Sequence, residues 1–137
     1  MVMFIFLYIY MCEMSFEFSF DISLICDLFL ATLGENIADL GGLVIALDAF
    51  KKTTQYKEGK LIDGLTPIQR YFLGYAYSWM YQIKKERLSN LVITDVHSPA
   101  KERVNGPIVN IPEFYEAFGI KPGDKMYRAD SLRVNIW

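Results

Sequence analysis

Two carboxylates four residues apart, Glu35 and Asp39, stand in a stretch of chain that is otherwise apolar on nearly every side. Ile37, Leu40, Val44 and Leu47 recur at helical spacing, so the stretch predicts a helix over about 35–52, opened at Gly34. At 3.6 residues per turn the two acids share one face, roughly 40° apart around the axis. Like charges at that spacing repel by about 0.2–0.5 kcal/mol. Ala38, Gly42, Leu43, Ala46, Ala49 and Phe50 surround them. A bare carboxylate in such company takes up a proton or requires a cation or donors beside it. Two explanations stand side by side. Acids in a first turn simply favour the helix N-terminus. Alternatively, a metal ion or a buried cation lies against this face. The pair Gly41-Gly42 supports the second, since each glycine costs about 1 kcal/mol inside a helix and implies close backbone approach.

The punctuation downstream is that of a folded protein. Asp63-Gly64 marks a turn. Thr66-Pro67-Ile68-Gln69 supplies an N-cap, a proline at the first helical position and a glutamine that completes a capping box. The helix it starts is predicted over 67–85 and closes on Lys84-Lys85, where cations suit the dipole. Carrying Tyr71, Phe72, Leu73, Tyr75, Tyr77, Trp79, Met80 and Ile83, it is apolar on every side and is expected to be buried on every side. Residues 91–106 are predicted as a loop with short β-leaning pieces, holding Asp95, His97, Pro99 and Arg103. Asn110-Ile111-Pro112-Glu113 caps a short helix over 111–118 that Gly119 closes. Lys121-Pro122-Gly123-Asp124 then turns the chain into an extended tail. The expected fold is mainly α, with loops and little sheet.

A chain of 137 residues fits one domain. Its apolar share of 53% and aromatic share of 15% exceed what a self-sufficient domain needs. Either a membrane segment raises the average, or the helices are shaped to bury against something outside the chain. A formal charge of -2, without a Lys/Arg cluster, argues against nucleic-acid binding. Cys12 and Cys26 are too far apart for C-x-x-C, and they read as buried free thiols. Residues 1–32 differ in character from the rest. The run 1–11 is wholly apolar and aromatic, yet shorter than the roughly 20 residues a helical span needs. The first lysine is Lys51, so no positive region precedes it as in a signal peptide. Residues 15–22 alternate with strand period. Three readings stand for this segment: an anchor or uncleaved signal giving membrane association through 1–33, a hydrophobic lead-in strand, or a wrongly set start. The partial folded domain is expected over 33–137.

Four blocks carry a family resemblance. Gly34-Glu35-Asn36-Ile37-Ala38-Asp39-Leu40-Gly41-Gly42-Leu43 resembles the G-E-N-I-A-D-x-G-G-L signature of the neprilysin and endothelin-converting-enzyme family of zinc metalloendopeptidases. Thr94-Asp95-Val96-His97-Ser98-Pro99 is similar to its T-D-x-H-S-P stretch. Arg103-Val104-Asn105-Gly106, with Asn110 and Glu113-Phe114, resembles R-V-x-G-x-x-x-N-x-x-E-F, and the terminal Trp137 matches the family's ending. The resemblance implies the C-terminal part of a thermolysin-like catalytic domain that cleaves peptides in an extracytoplasmic setting. It implies Glu35 as the third zinc ligand of a His-His-Glu site and Asp39 as the acid that orients a zinc-bound histidine. His97 would stabilise the oxyanion of the tetrahedral intermediate. Arg103 would grip a substrate carbonyl with its fixed fork of donors.

The departures are equally specific. Family enzymes carry H-E-x-x-H upstream, which supplies two zinc ligands and the glutamate that activates water. The sequence holds a single histidine, His97, and so neither histidine ligand nor the general base. The tail, Leu132 to Trp137, lacks the near-terminal cysteine of animal members and looks more like a bacterial branch. The expected partners are a peptide and the missing N-terminal part of the catalytic domain. The expected function is that of a zinc endopeptidase fragment inactive by itself, the alternative being a non-catalytic peptide-binding module.

Overall fold

The computed structural model describes residues 22–136. The alternating segment expected as a strand, Cys12 and Trp137 lie outside the described residues, apart from Ile22 at the segment's end. Six helices follow one another: α1 (Ile22–Lys51), α2 (Thr54–Lys57), α3 (Pro67–Ser78), α4 (Lys85–Thr94), α5 (Ala100–Ile108) and α6 (Pro112–Phe118). A 3-10 turn, Asp130–Leu132, interrupts the tail. Among the described residues the only β pairing is an isolated bridge between Ile62 and Leu65, closed by Asp63 and Gly64 at positive φ. The mainly α expectation holds.

α1 begins twelve residues before Gly34. Nothing in the preceding run breaks a helix, and one glycine weakens a helix without ending it. Glu35 and Asp39 therefore stand in mid-helix, which removes the explanation that they serve a helix N-terminus. Leu40, Leu43 and Leu47 form the buried stripe of α1. They meet Phe72 of α3, Ile108 and Val109 at the end of α5, and Ile111, Phe114 and Tyr115 around α6. Aromatic edges knit this core, with Phe72 against Phe114 at 5.5 Å and Phe114 against Tyr115 at 5.9 Å. α1 packs chiefly on α5 and α3 on α6. By length and composition Leu30–Lys51 is long and apolar enough to cross a membrane; Leu40, Leu43 and Leu47 are buried in the core, while Leu30, Ile37 and Ile45 are exposed. Gly42, expected at a close approach, has open space where a Cβ would stand.

The capping box forms as expected: Gln69 N–H donates to Thr66 Oγ1 at 3.2 Å and Thr66 N–H to Gln69 Oε1 at 2.9 Å. α3 nevertheless stops at Ser78, seven residues short of the expected end. Ser78 Oγ donates back to the Tyr75 carbonyl, and the Trp79 N–H tightens onto Ala76. Lys84 and Lys85 thus stand at the N-terminus of α4, the less favourable end for cations. Nor is α3 buried all round. Phe72 faces the core, while Tyr77 and Met80 are 75% and 74% exposed, because no described residue covers that side.

The passage 91–106 is largely helical, a second correction. Val92, Ile93 and Thr94 favour strands by type, yet they complete α4, and α5 follows after a loop of five residues. Asn110 does not cap α6. Its amide donates to the Gly106 carbonyl at 2.7 Å, and its oxygen accepts from Arg128 and from the Val134 N–H, which pins the tail. Gly119 closes α6 in the left-handed conformation, as its position implied.

Candidate functional site

The middle of α1 presents Glu35, Asn36 and Asp39 to the loop 95–99 and to the first turns of α5. Residues about sixty apart in the chain meet there. Ser98 Oγ donates to Asn36 Oδ1 at 2.8 Å and fastens the loop to the helix. The loop is itself shaped by Asp95, whose carboxylate accepts the His97 backbone N–H at 2.9 Å and lies 2.7 Å from His97 Nδ1. Those contacts orient the imidazole. The backbone bond, followed by the ring contact, holds the Asp95 carboxyl below its ordinary range. The other ring nitrogen, Nε2, lies 3.2 Å from Glu35 Oε2, and the side chains of Glu35 and His97 are each 41% exposed.

Asp39 and Arg103 form the buried half of the site. Arg103 Nε and Nη2 donate to the two Asp39 oxygens at 2.6 and 2.7 Å, with the side chains 15% and 11% exposed. The bidentate bond to Asp39 raises the Arg103 guanidinium above its ordinary value even though burial opposes it. Asp39 thus has the buried cation its sequence setting called for. The Trp79 ring covers the guanidinium, its centroid 4.1 Å from Cζ. Tyr75 Oη donates to the Arg103 carbonyl at 2.8 Å. Pro107, four residues on, has no N–H to offer that carbonyl, so the tyrosine supplies the missing donor. Burial first, and the nearby Asp39 charge second, push the Tyr75 hydroxyl up to about 12.

A cavity of about 140 Å³ opens beside these groups, with Trp79, Leu88 and Leu91 on its apolar side and Asp95, His97 and Arg103 on its polar side. It can seat an apolar side chain while offering imidazole and guanidinium donors to a carbonyl. All four residues singled out from the sequence, Glu35, Asp39, His97 and Arg103, lie in this neighbourhood, Arg103 paired with Asp39 and the His97 imidazole beside Glu35. Sequence reasoning gave no role to Asp95, Ser98, Asn36, Tyr75 or Trp79. Asp95 was within reach, since an aspartate two residues before a loop histidine is placed for an Asx turn.

Among the described residues no three His, Cys, Asp or Glu side chains come together to hold a metal ion. Glu35 and His97 are donors of the kind zinc takes, but His97 is the sequence's single histidine. The residues present do not fit a zinc ion by themselves.

A family model described as Peptidase family M13 matches residues 29–134. The chain is 42% identical over 105 residues to a neutral endopeptidase of Lactococcus lactis, covering 77% of this chain and 15% of that protein. It is 43% identical over 98 residues to endothelin-converting enzyme 1 of Cavia porcellus, covering 69% of this chain and 13% of that protein. The zinc metalloprotease Zmp1 of Mycobacterium tuberculosis, solved in an open state, superposes with a TM-score of 0.69 at 35% identity, over 79% of this chain and 17% of that one. This chain therefore spans a small fraction of the proteins it matches.

Proposed function

Because the chain belongs to peptidase family M13, we propose that it is the peptide-gripping C-terminal portion of a zinc endopeptidase domain, without hydrolytic activity in isolation. The observation that carries this reading is the meeting of Glu35 and Asp39, from one helix, with His97 and Arg103 from sixty residues away, the latter two lining a cavity.

In this reading Glu35 supplies one carboxylate to a zinc ion whose other ligands the sequence does not encode. His97, oriented by Asp95, donates from Nε2 to a carbonyl oxygen that gains charge. Arg103, held by Asp39, grips a neighbouring peptide carbonyl. Were a zinc-bound histidine contributed from outside, Asp39 would be the acid to orient it. The partner implied is the remainder of the catalytic domain. The apolar exposure of Leu30, Ile37 and Ile45 on α1, of Tyr77 on α3 and of Met80 just after it supports it.

The alternative of a non-catalytic peptide-binding module rests on the same cavity and differs only in needing no zinc. Incubation of the pure chain with zinc and an apolar fluorogenic peptide separates the two from a self-sufficient enzyme. The expected result is no hydrolysis above background, with peptide binding that Arg103→Ala weakens about tenfold. Zinc-dependent turnover by the pure chain, or unchanged affinity in Arg103→Ala, overturns the proposal.

A further inference from the structure

We infer that Tyr75 and Trp79 are positioning residues, which together hold the Arg103 guanidinium as a fixed plane at the edge of the cavity. This deepens the peptide-gripping reading and rests on it for the identity of the ligand, a backbone carbonyl of an apolar peptide.

An arginine side chain has several rotatable bonds, and a single ion pair leaves it free to pivot around its partner. Asp39 occupies Nε–H and one hydrogen of Nη2, which leaves three of the five guanidinium donors for an incoming acceptor. Trp79 covers one face of the plane at 4.1 Å, which limits its tilting, and Trp79 and Arg103 both line the cavity. Tyr75 acts one bond further back. Its hydroxyl occupies the Arg103 carbonyl that Pro107 leaves without a helical partner, and so fixes the stretch of α5 from which the side chain extends. The two aromatics also brace each other edge to face, with centroids 6.5 Å apart. The early end of α3 is what makes the arrangement reachable. Trp79 sits at the cap, at φ -97° and ψ 1°, where the chain leaves the helix. A helix continued to Lys85 has no such cap at Trp79. Neither aromatic holds a proton or a charge for the chemistry: Tyr75 acts through Arg103, and Trp79, which also lines the cavity, acts through Arg103 in what concerns the carbonyl.

The test uses the full chain, isotope-labelled for NMR. In the wild type, Overhauser contacts join the Trp79 ring to the Arg103 side chain, and the Arg103 Nε–H exchanges slowly with water. Trp79→Leu is expected to speed that exchange about tenfold, Trp79→Phe to preserve it because a ring remains, and Tyr75→Phe to give an intermediate effect. Titration with the blocked dipeptide acetyl-Phe-Leu-amide reads the consequence: affinity falls about tenfold in Trp79→Leu and is kept within threefold in Trp79→Phe. Unchanged Arg103 exchange in a folded Trp79→Leu overturns the inference whatever the peptide does. If Trp79→Leu fails to fold, the wild-type contacts decide, and their absence overturns it. A wild type that binds no dipeptide while Trp79→Leu still frees Arg103 leaves the positioning intact, and sinks the peptide-gripping reading instead.

Discussion

Residues 108–136 and the stretch from Leu73 to Val96 are both rich in apolar side chains, yet far more of the first are buried, Phe118 and Leu132 being its exposed exceptions. In the first, Ile108, Val109, Ile111, Phe114 and Tyr115 are buried within eight consecutive positions. The tail is then strapped over them, with Tyr115 Oη accepting from the Arg128 N–H, and Arg133 stacked on the Tyr115 ring. In the second, Leu73, Tyr77, Met80, Tyr81, Val92, Ile93 and Val96 are all exposed. Apolar character does not decide burial; the number of surfaces a chain can bring to a face does. The C-terminal region closes on itself through α1, α3 and its own tail. The second region offers apolar surface with nothing in the described chain to meet it, as expected if it is shaped for the rest of a larger domain.

The sharpest way to break this contrast is to empty one side chain in each region. Phe114→Ala removes a buried ring that touches Phe72, Tyr115 and Phe118, and is expected to cost about 4 kcal/mol. Met80→Ser, in the open region, is expected to change stability by no more than about 0.5 kcal/mol while raising solubility. Urea unfolding of both variants checks the pair. A Met80→Ser variant as damaging as Phe114→Ala means that the open face is covered in solution, by another copy of the chain.

The candidate site lies between the two regions, and Asp39→Asn asks to which of them it belongs. The substitution leaves the buried Arg103 guanidinium facing a neutral amide, for an expected loss of about 3 kcal/mol. A loss below about 0.5 kcal/mol is the behaviour of a solvated surface pair and places the site with the open region. Glu35→Gln, at a half-exposed carboxylate, is expected to leave stability nearly unchanged.

How much of this was legible depends on how local each cause is. Leu40 and Leu47 of the expected stripe, the capping box at Thr66 and the left-handed Gly119 depend on neighbours a few residues away and were legible, whereas Ile37, expected on that stripe, is exposed and Leu43, expected beside the acids, is buried. Glu35, Asp39, His97 and Arg103 were found because their spacing matches a known pattern, and composition alone would not have singled them out. The end of α3 was hidden. It depends on Trp79 leaving the helix to cover Arg103, a contact made across twenty-four residues. α4 was hidden because Val92, Ile93 and Thr94 favour strands by type, yet they form the last turn of a helix. Exposure of the apolar face after α3 was illegible for a simpler reason: a helix pattern says which sides are apolar, and not which are covered.

The smallest expected effect concerns the tie between Lys51 at the end of α1 and Glu113 in the first turn of α6, which fastens the C-terminal region to α1. Burial pushes the Glu113 carboxyl up and the Lys51 ammonium down, but their mutual hydrogen bond and charge outweigh it, so Glu113 titrates below 4.5 and Lys51 above 10.5. A carboxyl held low in the folded chain stabilises it above the ordinary value of 4.5, and that contribution is lost as pH falls through the lower folded value. An ammonium held high stabilises the fold below 10.5, and its contribution is lost as pH rises through the higher folded value. The pair is about a third exposed on each side, which limits it to about 1 kcal/mol. The stability difference between wild type and Glu113→Gln is therefore expected to be flat from about pH 5 to 10 and to shrink at both ends. A difference that stays constant down to pH 3 means the tie is not ionic.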